Sequence, residues 1–363
     1  METLSADIRT VSPRRVPRVV VVDLRTDPLW RKLTDRHKSS VFHSQAWIQT
    51  LTDTYGWEAR ALVVLDSSGE PLAGIPYCRV ADIMSERIVI LPFSDFCDPL
   101  VSEVEHWNLL IKKLSAEEGP FVLHCLYNSL PATDGRFSVV KQARWHGIDL
   151  LPDLETVWRR FDHVAQGNVR KAQREGVVVH VAEREDELRT FFDMHLRVRK
   201  YKHHLLAQPY RFFENLWRDV LQRGEGALML ATRGDDVIAG GLFLEWKDTL
   251  YYKFNTSVPE YLCYRPNDLL IWEAVQYAKS KGYVELDFGR TDWDHLELAR
   301  YKRKFGAEER TITLYRCGGN SASSQQDQRI RQLLPQLTGL FTDATVPDEV
   351  TERAGDIMYG FFV

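Results

Sequence analysis

Four cations stand within five residues at Arg300, Lys302, Arg303 and Lys304, interleaved with Tyr301 and Phe305 and closed by Gly306. Positive charge at that density suits an oxyanion or a polyphosphate, because ammonium and guanidinium groups direct several donors at one anion. The run follows Asp287-Phe288-Gly289, at the carboxyl end of a strand predicted over Tyr283 to Phe288, and α/β sheets place their ligands at such ends. A second basic focus is Arg170, Lys171 and Arg174. From Arg159 to His204 there are eleven Lys/Arg against seven Asp/Glu, in a chain whose net charge is −4. Arg170 and Arg174 are four apart, so on a helix they share a face with Lys171 beside them. Such a face suits phosphates as well as it suits plain solvation.

Other chemistries are disfavoured by what the chain lacks. No serine lies in a G-x-S-x-G elbow, and neither GxxxxGK[ST] nor a strand-borne GxGxxG occurs. Asp287-Phe288-Gly289 matches the kinase DFG triplet, but no HRD triplet accompanies it. His195, His203 and His204 lack the i, i+4 spacing of a helical metal pair. Five widely spaced cysteines without a CxxC pair argue against a disulfide framework and a zinc site, so no metal site is expected.

These residues need a scaffold, and 363 residues with 44% hydrophobic and 27% charged content are enough for two globular α/β (α+β) domains. An internal repeat points the same way. Ala61 to Pro76 (ALVVLDSSGEPLAGIP) and Ala227 to Gly241 (ALMLATRGDDVIAGG) superpose with one gap as hairpins, Ala73-Gly74 opposite Ala239-Gly240. Helices precede both, from Ser44 to Leu51 in the first half and over Asp186 to Tyr201 and Tyr210 to Gln222 in the second. After the second hairpin come a strand from Thr249 to Asn255, a helix with Asn267 as its N-cap and Gly282 past its end, and the strand before Gly289. The expected division is 17–152, 153–317, and a linker with a helical tail over 318–363, Gly318 to Gln328 being the linker. The tail is expected to pack back on the body, with peripheral membrane contact as the alternative. No apolar run reaches membrane-spanning length, and the first residues carry arginines without a signal-peptide core, so a cytoplasmic location is expected.

As an ordered set, Asn168-Val169-Arg170-Lys171-Ala172 with Arg174-Glu175-Gly176, then Pro266-Asn267-Asp268-Leu269-Leu270, Lys281-Gly282-Tyr283, Asp287-Phe288-Gly289 and Tyr301-Lys302-Arg303-Lys304-Phe305-Gly306 resemble the FemAB-type transferases. The resemblance spans roughly residues 40–317. It implies two tandem GNAT-like acyltransferase domains, each a mixed twisted sheet flanked by helices, and transfer of an aminoacyl group from aminoacyl-tRNA to an amine of a cell-envelope precursor. It also implies that the aromatic–lysine pair falls on Tyr301 and Lys302, with Lys302 steadying the oxyanion. The chain departs from the family in having Tyr301 where Phe is usual, and in lacking the helical arm that some tRNA-using members insert.

An amine nucleophile must lose a proton, which makes Asp287, Asp292 and Asp95 candidate bases or substrate ligands. Arg170, Lys171 and Arg174, with Tyr252, Asn267, Arg303 and Lys304, form the expected substrate-binding set. No cofactor is expected. The glycine-rich pyrophosphate loop of coenzyme A-dependent GNAT enzymes is missing before Pro266, which favours an aminoacyl-tRNA partner as donor over acyl-CoA. A coenzyme A-dependent N-acyltransferase with a diverged loop, and a binding module without chemistry, are the rival readings.

Overall fold

A computed structural model describes residues 17–83, 86–118, 120–318 and 325–363. The N-terminal stretch before Pro17 and residues 319–324 of the Gly318–Gln328 linker lie outside the described residues, and so do the readings made there.

One unit of ten elements occurs twice in the same order. The first copy runs β1 (Arg18–Asp23), α1 (Pro28–Arg36), α2 (Gln45–Tyr55), β2 (Glu58–Leu65), β3 (Pro71–Ala81), β4 (Glu86–Val89), α3 (Val104–Glu118), β5 (Phe121–Cys125), α4 (Leu130–Thr133) and β6 (Phe137–Asp149). Helices α5 (Leu154–Arg160) and α6 (His163–Arg174) lead to the second. That copy is β7 (Val177–Val181), α7 (Glu185–Arg197), α8 (Tyr210–Asp219), β8 (Gly226–Arg233), β9 (Asp236–Trp246), β10 (Thr249–Ser257), α9 (Pro266–Ser280), β11 (Glu285–Asp292), α10 (Leu296–Arg303) and β12 (Glu308–Cys317). Two tail helices follow, α11 (Gln325–Phe341) and α12 (Asp348–Met358).

The repeated hairpins match residue for residue. Gly74 pairs with Val63 and Ala73 with Val64; Gly240 pairs with Leu230 and Ala239 with Ala231; and each ladder slips by one residue immediately afterwards. A methyl group on Gly74 would stand 2.9 Å from Leu33 of α1, and one on Gly240 would stand 2.7 Å from Phe191 of α7. The first helix of each copy thus lies on its hairpin at the same glycine, where only a bare backbone admits it.

The strands form two sheets, β1-β2-β3-β4 and β5-β12-β6-β11-β10-β9-β8-β7. The closing strands are exchanged between copies: β12 lies between β5 and β6, and β6 lies between β12 and β11. The apolar cores cross the copies as well, because Phe212 of α8 meets Trp47 of α2 edge-on at 5.9 Å in one continuous cluster. A separate core under α6 and α9 gathers Val169, Leu270, Ile271, Phe288 and Phe305. Neither the sheets nor the cores part at Pro152. Helix α12 and the turn after it pack back on the body through Met358 and Tyr359, and a methyl group on Gly355 would stand 2.5 Å from the Ala207 carbonyl.

Asn267 is not the N-cap of α9. Arg265, at φ 61°, holds that place without a side-chain cap bond, and Pro266 supplies the first helical residue, where its missing N–H costs nothing. Gly282, at φ 81°, does end the helix. No helix among the described residues is long and apolar enough to cross a membrane.

Candidate acyl-transfer site

Strands β10 and β11 run parallel but pair only at Thr249–Glu285, Leu250–Leu286 and Tyr251–Asp287. Beyond that point β10 stays with β9 and β11 with β6, so the sheet opens into a V whose apex is Asp287. Phe288 and Gly289 pair with neither neighbouring strand, and Gly289 takes φ 66°. Their freed carbonyls need donors. Lys302, projecting from α10, supplies them: its Nζ donates to the carbonyls of Phe288 (2.7 Å), Gly289 (3.2 Å) and Arg290 (3.1 Å).

Lys302 is buried, and burial pushes its pKa down to about 8 against the opposing pull of Asp95 and Asp287. Asp287 is buried too. Burial pushes its carboxyl up to about 7, although the Gly289 amide, 2.5 Å from Oδ1, favours the anion, as does the nearby Trp145 indole, whose N–H makes no hydrogen bond among the described residues. Its Oδ2 has no hydrogen-bond partner among the described residues. A carboxyl that titrates near neutrality beside a lysine that titrates near 8 can accept and return a proton at physiological pH. In this geometry all three Lys302 N–H groups are engaged by backbone, so the residue offers its charge rather than a free donor.

Asp95 arrives from the first copy. Its loop carries Leu91 at φ 42° and Phe93 at φ 58°, and its Oδ2 lies where a methyl group on Gly289 would be only 2.4 Å away. Lys253 of β10 pairs with it at 3.2 Å. Lys253 and Trp145 are the site residues that sequence reasoning missed. Lys253 sits within a strand predicted from Thr249 to Asn255, and a charge inside an aromatic strand (Tyr251-Tyr252-Lys253-Phe254) was the available signal.

A cavity of about 1370 Å³ lies at the far end of β10, and none of Asp287, Gly289, Lys302, Asp95 or Lys253 lines it. Its walls are the end of β10, the turn after α7, Tyr301 of α10, Asn267 of α9 and the acidic face of α12 with Asp348, Glu349 and Glu352. Asn267 donates to Ser257 Oγ (3.3 Å), but its Oδ1 and the hydroxyl of Thr256, also in the wall, have no partner among the described residues. Tyr301 packs edge-on to Phe305 at 5.2 Å with the Lys304 ammonium 4.2 Å above its ring. Tyr252 stacks on Phe243 at 4.9 Å and meets Phe288 at 6.0 Å, behind the wall that Tyr301 faces. That α12 closes this cavity was not foreseen.

The remaining expected residues lie elsewhere. Asp292 is bound to Lys141 (2.6 Å) and Arg290 (2.8 Å); although burial raises its pKa, those partners hold it below the usual carboxylate range, unlike a base. Lys304 is tied to buried Asp268 at 2.6 Å, and Asn168 donates to the same carboxylate at 3.2 Å, so Lys304 latches α6 and α10 to α9 instead of reaching substrate. Arg303 is exposed. Arg170 and Arg174 are exposed on α6 with Lys171 half-buried between them, outside the cavity wall, the Arg170 guanidinium 5.6 Å from the Trp158 ring.

Residues 159–303 match the family model described as an acetyltransferase (GNAT) domain. No curated protein matches the sequence. Among solved structures, FemX is 15% identical with a TM-score of 0.64, covering 88% of this chain and 100% of its own. The L-PGS structure from Bacillus licheniformis is 13% identical with a TM-score of 0.54, covering 88% and 99%. A tandem GNAT protein from the clavulanic acid biosynthesis pathway is 9% identical with a TM-score of 0.53, covering 83% and 98%. At these identities the likeness is one of fold, and it extends over both copies of the repeat. Residues 159–303 are therefore similar to a GNAT acetyltransferase domain, in a chain whose fold is shared with FemX and with a tandem GNAT protein.

Proposed function

We propose that the protein is an N-acyltransferase that forms an amide between an aminoacyl ester, carried by tRNA, and an amine of a cell-envelope, polysaccharide or natural-product precursor. The observation that carries this reading is the amino end of α9. A coenzyme A pyrophosphate would need free N–H groups there, yet the helix opens on Pro266, and the amides of Asp268 and Leu269 turn back to the Arg265 carbonyl at 3.2 and 3.4 Å. The buried Asp268 carboxylate, neutralised by Lys304, already occupies that positive end. An ester donor without a pyrophosphate has no need of it. The FemAB-type resemblance and the fold likeness to FemX support the same donor class.

In this mechanism the acceptor amine attacks the ester carbonyl at the apex of the V. The N–C bond forms, the C–O bond to the ribose breaks, and the amine proton passes to the Asp287 carboxylate and on to the leaving oxygen. Lys302 holds the β11 backbone in its bulged form and adds positive potential as negative charge develops.

The test is incubation of the protein with a mixed pool of charged tRNA and candidate amines, followed by mass measurement of the products. An acceptor heavier by one aminoacyl residue is the expected result. Saturable binding of acetyl-CoA, with acetylated products and none from charged tRNA, would overturn it.

A further inference from the structure

Among the described residues the first copy of the repeat offers no V of its own: β4 and β5 lie in different sheets, and the loop between β4 and α3 carries Phe93, Ser94 and Phe96 into the core. Ser94 accepts from the Trp47 indole at 3.2 Å, and Phe96 meets Phe42 edge-on at 5.7 Å. That loop is held in an unfavourable form, since Leu91 and Phe93 both have positive φ without being glycine. Something must hold it there.

We infer that Lys253 is a positioning residue: it reaches from the second copy into the first, clamps the strained loop at Phe93, and so fixes Asp95 against Gly289 at the apex of the V. Its Nζ donates to the Phe93 carbonyl at 2.9 Å and to Asp95 Oδ1 at 3.2 Å. The ammonium is also 4.7 Å from the Phe42 ring, 5.3 Å from Trp47 and 5.9 Å from Phe254. Its side chain retains only 9% exposure. A lysine buried among rings would be costly without a defined task, because desolvation opposes the charge unless hydrogen bonds and ring faces replace the water. The register explains how it gets there. The β9–β10 ladder slips between Tyr252 and Phe254, so Lys253 is the extra residue of a bulge, which turns its side chain away from the regular alternation. From the far side, Tyr359 of the tail packs on Phe93 at 5.1 Å.

The catalytic part of this inference rests on the function proposed above, and the experiment separates the two. Lys253→Met keeps the bulk and removes both hydrogen bonds. Asp95→Ala removes the acceptor of the same link at a residue whose side chain is 29% exposed, which keeps the test open if the buried methionine variant does not fold. Hydrogen exchange over residues 90–97 should rise about tenfold or more in either variant, while β8 and β9 exchange as in the native protein. With an active donor, kcat should fall about tenfold or more in each variant with KM for the donor within about twofold, and the double variant should be no worse than either single one. Native-like exchange over 90–97 in the variants, or kcat effects that multiply in the double variant, would overturn the assignment. If the native protein transfers from no donor, the exchange result alone decides: loosening of 90–97 upholds the clamp while the proposed reaction fails.

Discussion

Asp287 and Lys302 bring opposite titrations into one buried spot, and the stability of the protein should record both. The folded protein keeps the Asp287 proton up to about pH 7, whereas the unfolded chain releases it near the ordinary carboxyl value of 3.8. The folded state therefore binds more protons through that window, and stability falls as pH rises across it. Lys302 works the other way: its folded pKa of about 8 lies below 10.5, so stability rises with pH between those values. Denaturant unfolding at about pH 5 and about pH 7.5 should show Asp287→Asn losing a few kcal/mol less than the native protein over that interval. An equal loss in both would remove Asp287 from this role. Lys302→Met leaves three carbonyls without their donor, and should lower unfolding free energy by about 2–3 kcal/mol. Assayed where it remains folded, that variant should also lose turnover; full turnover would mean that Lys302 serves the backbone alone.

Elements decide which of the charged clusters can meet a large partner. Helix α6 is amphipathic: Ala165, Val169 and Ala172 are buried against α9, leaving Arg170 and Arg174 facing solvent. Neither has an acidic partner among the described residues, so the face is free to neutralise phosphates. If charged tRNA is the donor, replacing Arg170, Lys171 and Arg174 with alanine should weaken binding of uncharged tRNA and reduce the slope of log affinity against log salt by about two to three. An unchanged slope would place the RNA elsewhere. The α10 cluster divides differently from its appearance in sequence. Of its four cations, Lys302 turns inward to β11 and Lys304 to Asp268, while Arg300 and Arg303 remain on the surface. A helix sends consecutive residues about 100° apart, so four adjacent charges cannot share one task.

At the scale of the whole molecule, the exchanged strands β6 and β12 bind the two copies of the repeat into one cooperative unit. Calorimetry should show a single unfolding transition, and a chain ending at Pro152 should not fold alone, because β6 would lose both its neighbours. Two separated transitions would contradict this. The sequence alone carried a good deal: hydrophobic periodicity placed α2, α7 and α8, turn chemistry placed the hairpins, and the Ala-Gly repeat disclosed the duplication, because all three depend on neighbours within a few residues. It also marked Asp287, Lys302 and Asp95 as residues of interest. What it could not disclose were pairings between distant segments: β12 crossing to β5, Lys253 meeting Asp95 at a separation of 158 residues, α12 closing the cavity, and Lys304 and Asp292 being drawn into ion pairs. Local spacing fixes which residues share a face of a helix or strand. Which cation stays free, which is buried, and which carboxyl is raised toward neutrality depend on desolvation and on partners brought from elsewhere in the chain, and only the tertiary structure supplies those.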